Sequence, residues 1–325
     1  VSKYVRFLLV ILMLLSLLVL VPSGSKAEIL TLPLEERADI PKPLESGYQQ
    51  FVNPETGRTE WTYEDPSISV HITTGVRELL DEEKGKIVPT TYYVATVKIA
   101  NASQIRTTFA TNFYAQDGKV NATNIAKRQK AVLAINGDFY SNPRRADIGY
   151  VCRQGIVYRV FSTLFINGEN QRCHFDVLVI DENGDFHIEQ NAEREDLLHL
   201  PYTPINGFTF GPALIINGEK VQEFFNTDYG PNAYARRMCI AQTGPLEYMC
   251  VCCDGKEDGC KGLTITELTD LVYELGEGRI QTAYNLDGGG STHMIFHEKL
   301  LNTPGANGAR QIDDMIYFGS AYLPD

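Results

Sequence analysis

Asp287 is followed by three glycines, Gly288-Gly289-Gly290, and then by Ser291 and Thr292. One carboxylate, a run without side chains and two hydroxyls make a compact set for chemistry on a polar ligand. The carboxylate can act as a nucleophile or general base. Glycines in a strand-like context cost backbone entropy and contribute no packing, so they mark a sharp turn, a positive φ or a close approach. The same local pattern also suits a hairpin between two core strands, and the stretch alone leaves both readings open.

Other candidates fall at the ends or breaks of apolar runs. Ala131–Ile135 leads into Asn136-Gly137-Asp138 and then Phe139-Tyr140. Asn-Gly is a turn signal, and aromatics directly after it serve either as a pocket wall or as core anchors. Gly211-Pro212 breaks a strand before Ala213–Ile216, because proline cannot donate to a ladder. Arg236-Arg237 precedes Met238–Ala241, and a guanidinium is a planar, permanent cation suited to carboxylate or phosphate. Arg236 is expected to be a salt-bridged surface residue. Arg144-Arg145 is a further basic pair. His293 reads as a strand residue, with a proton shuttle as its functional alternative. Asp138, Asp254 and Asp287 supply oxygen ligands for a hard cation such as Ca²⁺, although their spacing matches no calcium loop. Any metal site is left unknown.

The elements that must position these groups are mostly strands. Ile68–Ile72 alternates, Tyr92–Ile99 has β character, and Ala131–Ile135 is unbroken, as in a strand buried on both faces. Asp176–Ile188 is a hairpin with Asn183-Gly184 in its turn. Asn121 caps a short helix over 124–129. Thr264 and Glu267 form a capping box for the one long helix, Ile265–Leu275, where Leu268, Leu271, Val272 and Leu275 recur at helical spacing. The fold class is α+β, with many short strands in mixed or antiparallel sheets packed by a few helices.

The chain has 325 residues, 43% hydrophobic and 22% charged, enough for a sizeable core. Its net charge of −12 argues against sequence-independent nucleic-acid binding, which needs a basic face. Lys3 and Arg6 precede the apolar run Phe7–Val21, and Ser25-Lys26-Ala27 supplies small residues for cleavage. Residues 1–27 therefore read as a secretory signal peptide or an uncleaved signal anchor. No second stretch is long enough to span a bilayer. Residues 28–63 read as a linker or extended arm, and 64–325 as the folded domain. Export makes the protein secreted or extracytoplasmic, with membrane contact only through the anchor. Among seven cysteines, Cys253 and Cys260 flank a polar loop that a disulfide could close. A zinc site is the rival reading, against which C-x-C-C lacks paired C-x₂-C spacing.

Rossmann, P-loop, α/β-hydrolase and H-E-x-x-H readings all lack their motifs. Ala134-Ile135-Asn136-Gly137-Asp138-Phe139, Gly211-Pro212, Arg237–Ile240, Asp254-Gly255, Asn285–Ser291 and Arg310-Gln311 do occur in a telling order. In that order the chain resembles the phosphodiester glycosidase family over roughly 131–318. Its leader and short arm resemble the bacterial branch. The resemblance implies hydrolysis of a glycosyl phosphodiester, sugar-1-phosphate-R, at the sugar side, with no cofactor firmly implied.

On that resemblance Asp287 is the nucleophile or general base, Arg237 takes the phosphate and Asn136 orients substrate hydroxyls. Backbone NH groups of Gly288, Gly289 and Gly290 assist as an anion nest, and Arg310 is a second phosphate ligand. Asp138, Gly211 and Ser291 complete the substrate-binding set. The substrate is expected to be a sugar phosphate or glycan, including exopolysaccharide or cell-envelope glycan. The alternative is a non-catalytic glycan-binding module of the same fold.

Overall fold

Ala131–Asn136 is buried at every position, as its unbroken apolar run requires of a strand covered on both faces. A computed structural model describes residues 27–325 apart from 36, 82–84, 115–117, 141–148, 161–163, 167–168, 172–175, 191, 225–229 and 304–307. The leader, Arg144-Arg145 and Cys173 lie outside the described residues.

Every strand pairing described is antiparallel. Helix is a minor part of the α+β fold: Ala122–Arg128, Arg194–Leu198 and Ile265–Gly276 among the described residues. The large sheet has nine strands, in the order Glu219–Lys220, Ala213–Ile216, Thr282–Leu286, Arg237–Gly244, Glu247–Cys253, Lys86–Ile99, Ile68–Asp81, Thr59–Asp65 and Tyr48–Val52. A second sheet of five runs Lys299–Leu300, Met294–Phe296, Ala131–Asn136, Asp314–Gly319 and Ile105–Phe109. A third, also of five, contains Val151–Arg153, Pro204–Phe208 and Asp176–Asp181.

All three sheets share one core. Met238, Ile240, Tyr284 and Leu286 of the large sheet meet Leu133, Ile135 and Ile316 of the second, with Leu178, Ile180 and Phe208 of the third. Each large apolar side chain so buried contributes roughly 1.5–3 kcal/mol. Alternation sends Cys239, Ala241 and Ala283 to the opposite face of the large sheet, against Leu268, Leu271 and Val272 of the long helix. That helix starts as its capping box requires, since Thr264 Oγ1 accepts from the Glu267 NH at 3.1 Å and Glu267 Oε2 accepts from the Thr264 NH at 2.9 Å. It ends with Glu277, not a glycine, in the left-handed region at φ 51°.

The 28–63 stretch, expected to be a linker or extended arm, contributes to the sheets and core of the fold. Leu32 and Ile40 are buried beside the Ala122–Arg128 helix, Glu28–Ile29 pairs with Tyr322–Leu323, and two of its segments become strands of the large sheet. Cys253 and Cys260 are free thiols, so no disulfide closes their loop. Arg236 closes it instead, with a bidentate bond to Asp258.

Register places several strand ends together. Met294 pairs with Ile135 and Met315 with Asn136, so one end of the second sheet gathers Asn136, His293 and Asp314. Met238 pairs with Leu286 and Arg237 with Cys253, so one end of the large sheet gathers Arg236, Asp254 and Asp287.

Candidate active site

Asn136 fastens these two ends. Its Nδ2 donates to the Asp287 carbonyl at 2.7 Å, and its Oδ1 accepts from the His293 NH at 3.0 Å. The Asp287 NH donates to the Gly137 carbonyl at 3.2 Å, and the Gly137 NH donates to the Asp314 carbonyl at 3.3 Å. A carboxamide carries both a donor and an acceptor, which lets one side chain hold two strands. Asn136, expected to orient substrate hydroxyls, holds backbone atoms with both ends of its amide.

The glycine run is a tight turn made for close approach. Gly289–Ser291 forms one 3₁₀ turn. A Cβ on Gly288 would stand 2.7 Å from the Arg236 carbonyl oxygen. A Cβ on Gly290 would stand 2.9–3.0 Å from the guanidinium of Arg310, which therefore lies flat against this glycine. The anion nest needs correction. The Gly288 NH donates to Asp287 Oδ1 at 2.8 Å and the Gly289 NH to the Arg236 carbonyl at 2.9 Å. Two of the three NH groups thus hold the loop to itself and to the neighbouring strand.

Asp287 is 9% exposed, and burial pushes its carboxyl up to about 7. Burial disfavours the anion, and the nearby Asp313 adds to the rise. The Ser291 hydroxyl, the Gly288 NH and Arg310 act in the opposite sense. The outcome is a carboxyl that exchanges a proton near neutrality, with a hydroxyl at hand and a cation over Gly290 of the same turn. Such a group can serve as general acid or general base.

Arg237 is not part of this cluster. Its Nε donates to the Leu263 carbonyl at 3.0 Å, and its Nη2 to those of Gly230 at 3.2 Å and Ala233 at 2.6 Å. It shares the strand face of Cys239, which looks toward the long helix, so the structure does not bring it to the glycine loop where its phosphate role was expected. Arg236 is salt-bridged as expected, but the pair is buried: its side chain is 6% exposed and that of Asp258 1%. Arg310, exposed beside Gly290, is the cation left for a ligand among these three.

Asp138 lies one step from the cluster. Its Oδ2 accepts from the Thr209 NH at 2.8 Å. Its charge adds to that of Asp314, whose carboxylate is paired with the fully buried guanidinium of Arg153. Burial holds the Asp314 carboxyl well above the usual range, with Arg153 opposing. Gly211 sits at φ 66°, and its carbonyl accepts from Asn285 Nδ2 at 2.7 Å. Asp254 anchors a loop by accepting from the NH and hydroxyl of Thr303. Asp138, Asp254 and Asp287 thus have separate partners. No group of three metal-binding side chains occurs among the described residues, so the arrangement does not fit a Ca²⁺ site built on this trio.

His293 belongs to the site more closely than its sequence position indicates. Its Nδ1 lies 2.7 Å from the Ser291 carbonyl and must carry the proton of that bond. Burial lowers its pKa, the hydrogen bond to Ser291 opposes that, and the charges of Arg236 and Arg310 add to the lowering. The ring braces the turn that carries Ser291. Asp313, whose charge adds to the rise at Asp287, is a residue the sequence did not single out. Its signal was position alone, three residues past Arg310.

A sequence model described as phosphodiester glycosidase matches residues 129–319. No curated protein sequence matches the chain. Among solved structures, the chain is similar to the catalytic domain of zebrafish N-acetylglucosamine-1-phosphodiester alpha-N-acetylglucosaminidase, auto-inhibited by its pro-peptide. The TM-score is 0.60 at 14% identity, over 84% of this chain and 88% of that one. It is also similar to a putative exported protein from Burkholderia pseudomallei, with a TM-score of 0.53 at 11% identity, over 88% of this chain and 99% of that one. At these identities the likeness is one of fold.

Proposed function

The chain belongs to the phosphodiester glycosidase family, and we propose that it hydrolyses a glycosyl phosphodiester with Asp287 as the general base and Arg310 as the phosphate ligand. The observation that carries this reading is the buried Asp287 carboxyl, held near neutrality beside the exposed guanidinium on Gly290. In the proposed reaction Asp287 takes a proton from water as its oxygen bonds to the anomeric carbon. The bond from that carbon to the bridging oxygen breaks, and its electron pair leaves with the phosphate. The products are the free sugar and a phosphate monoester. Phosphate is a good leaving group, so strong acid assistance is unnecessary, and Arg310 stabilises the charge that develops on it.

Asn136 holds Asp287 in place, and Ser291 hydrogen-bonds its carboxyl. Gly290 gives Arg310 its seat, while Asp138 and Gly211 act from the surrounding loops. The apolar leader supports an exported protein acting on exopolysaccharide or envelope glycan.

A panel of glycosyl-1-phosphodiesters assayed for released sugar tests the reading. The wild type is expected to turn over at least one member, and Asp287→Asn to lower kcat by about 10²–10⁴-fold, the usual contribution of a positioned base. Undiminished turnover by this variant would exclude Asp287 as the base. Binding without turnover across the panel would favour a glycan-binding module.

A further inference from the structure

A groove of about 610 Å³ opens at the other end of the Ala131–Asn136 strand, lined by Lys42, Lys127, Lys130, Lys299, Tyr48 and His297 together with Glu45 and Glu298. Ala131 lines the groove and Asn136 lies at the candidate active site, so the two are separated by the strand's length, roughly 16 Å. The volume falls in the range of small-ligand sites. Four lysines face two glutamates here, in a chain whose net charge is −12.

The turn that forms one wall is built against its own backbone preference. Phe296 pairs with Lys299, leaving His297 and Glu298 as a two-residue hairpin loop at φ 49° and 60°. Both central residues are left-handed, a conformation for which Asn-Gly is the favoured pair. His297 and Glu298 stand there instead, and each reaches across the groove. His297 stacks on Tyr48 with ring centroids 4.0 Å apart and 8° between planes, and its Nε2 lies 3.0 Å from Glu45. Glu298 pairs with Lys127 at 3.1 Å.

The cations are arranged so that an anion could take them over. Lys42 pairs with Glu45 at 3.1 Å, and Lys130 with Asp39 from the groove's margin. Lys42, Lys127, Glu45 and Glu298 are all well exposed, and exposed ion pairs contribute little. A phosphate oxygen can therefore replace a glutamate at small cost, while Lys299 has no ion partner among the described residues.

We infer that this groove is a second binding site, distinct from the glycine loop, for a phosphate-bearing polymer such as a phosphorylated glycan. The inference does not depend on the glycosidase reading. It is tested by calorimetric titration of the full chain with short-chain polyphosphate, with dextran as the neutral comparison. The wild type is expected to bind polyphosphate at low salt, to lose affinity as NaCl rises, and to bind dextran far less. K127A/K299A should lose at least tenfold in affinity, while R310A retains it. K42A/K299A is expected to show the same loss, and serves if loss of the Lys127–Glu298 pair unfolds the first variant. Absence of binding by the wild type, unchanged affinity in both lysine variants, or equal affinity for dextran would overturn the inference. So would an equal loss in R310A, which would place the polymer at the glycine loop.

Discussion

The proposed base owes its tuning to what surrounds it. Burial raises the Asp287 carboxyl to about 7, and the Asp313 charge contributes to the rise. A base must be ionised to work, so kcat/KM is expected to climb with pH through an acid limb near 7. Asp313→Asn removes a neighbouring negative charge and should move that limb to lower pH, measured as a pH–rate profile on any accepted substrate. A limb that stays in place would separate Asp313 from Asp287. Asp287 could be picked out from the sequence as a candidate because a carboxylate before three glycines is unusual, although the stretch alone also suited a hairpin. The placement of Arg237 was not legible, because the choice between adjacent arginines depends on which strand face looks at the helix. Cys239 and Ala241 share the phase of Arg237 and carry that information, but only once the helix is known to pack there.

At the scale of the element, the glycine turn is defined by two approaches of different hardness. Gly288 meets a backbone carbonyl and Gly290 meets the far end of an arginine. Gly288→Ala must displace the Arg236–Arg237 backbone and is expected to lower the thermal midpoint clearly, by destabilisation of about 1–3 kcal/mol. Gly290→Ala should leave the midpoint nearly unchanged and raise KM, because only the Arg310 guanidinium has to move. Thermal unfolding beside steady-state kinetics distinguishes the two, and equal thermal losses would contradict this account of the turn. The long helix, the buried strands and the turn itself were legible, since capping, periodicity and glycine clustering are local. The partners of the glycine NH groups were not, because Arg236 reaches the turn through the register of a strand some fifty residues earlier.

For the whole molecule, a carboxyl raised by folding is a stability cost at high pH. Asp287 starts from 3.8 and reaches about 7, so the folded chain holds its proton over a range where the unfolded chain has released it. Its contribution is therefore neutral below about 4, and stability is lost as pH rises toward 7, by roughly 4 kcal/mol in all. Relative to wild type, Asp287→Asn should gain stability progressively between pH 4 and 7 and level off above. Denaturant midpoints across that range check this, and a difference that is flat with pH would contradict it. The pairing of sheets was beyond the sequence, since alternation gives a strand its faces but not its neighbours. The Asn136 amide has a consequence for how the protein matures. It ties backbone atoms 151 and 157 positions away, so neither half of the chain holds a finished site while the other is still being synthesised. The candidate site is complete only once Asp287 and His293 have been made and have met a strand laid down about 150 residues earlier.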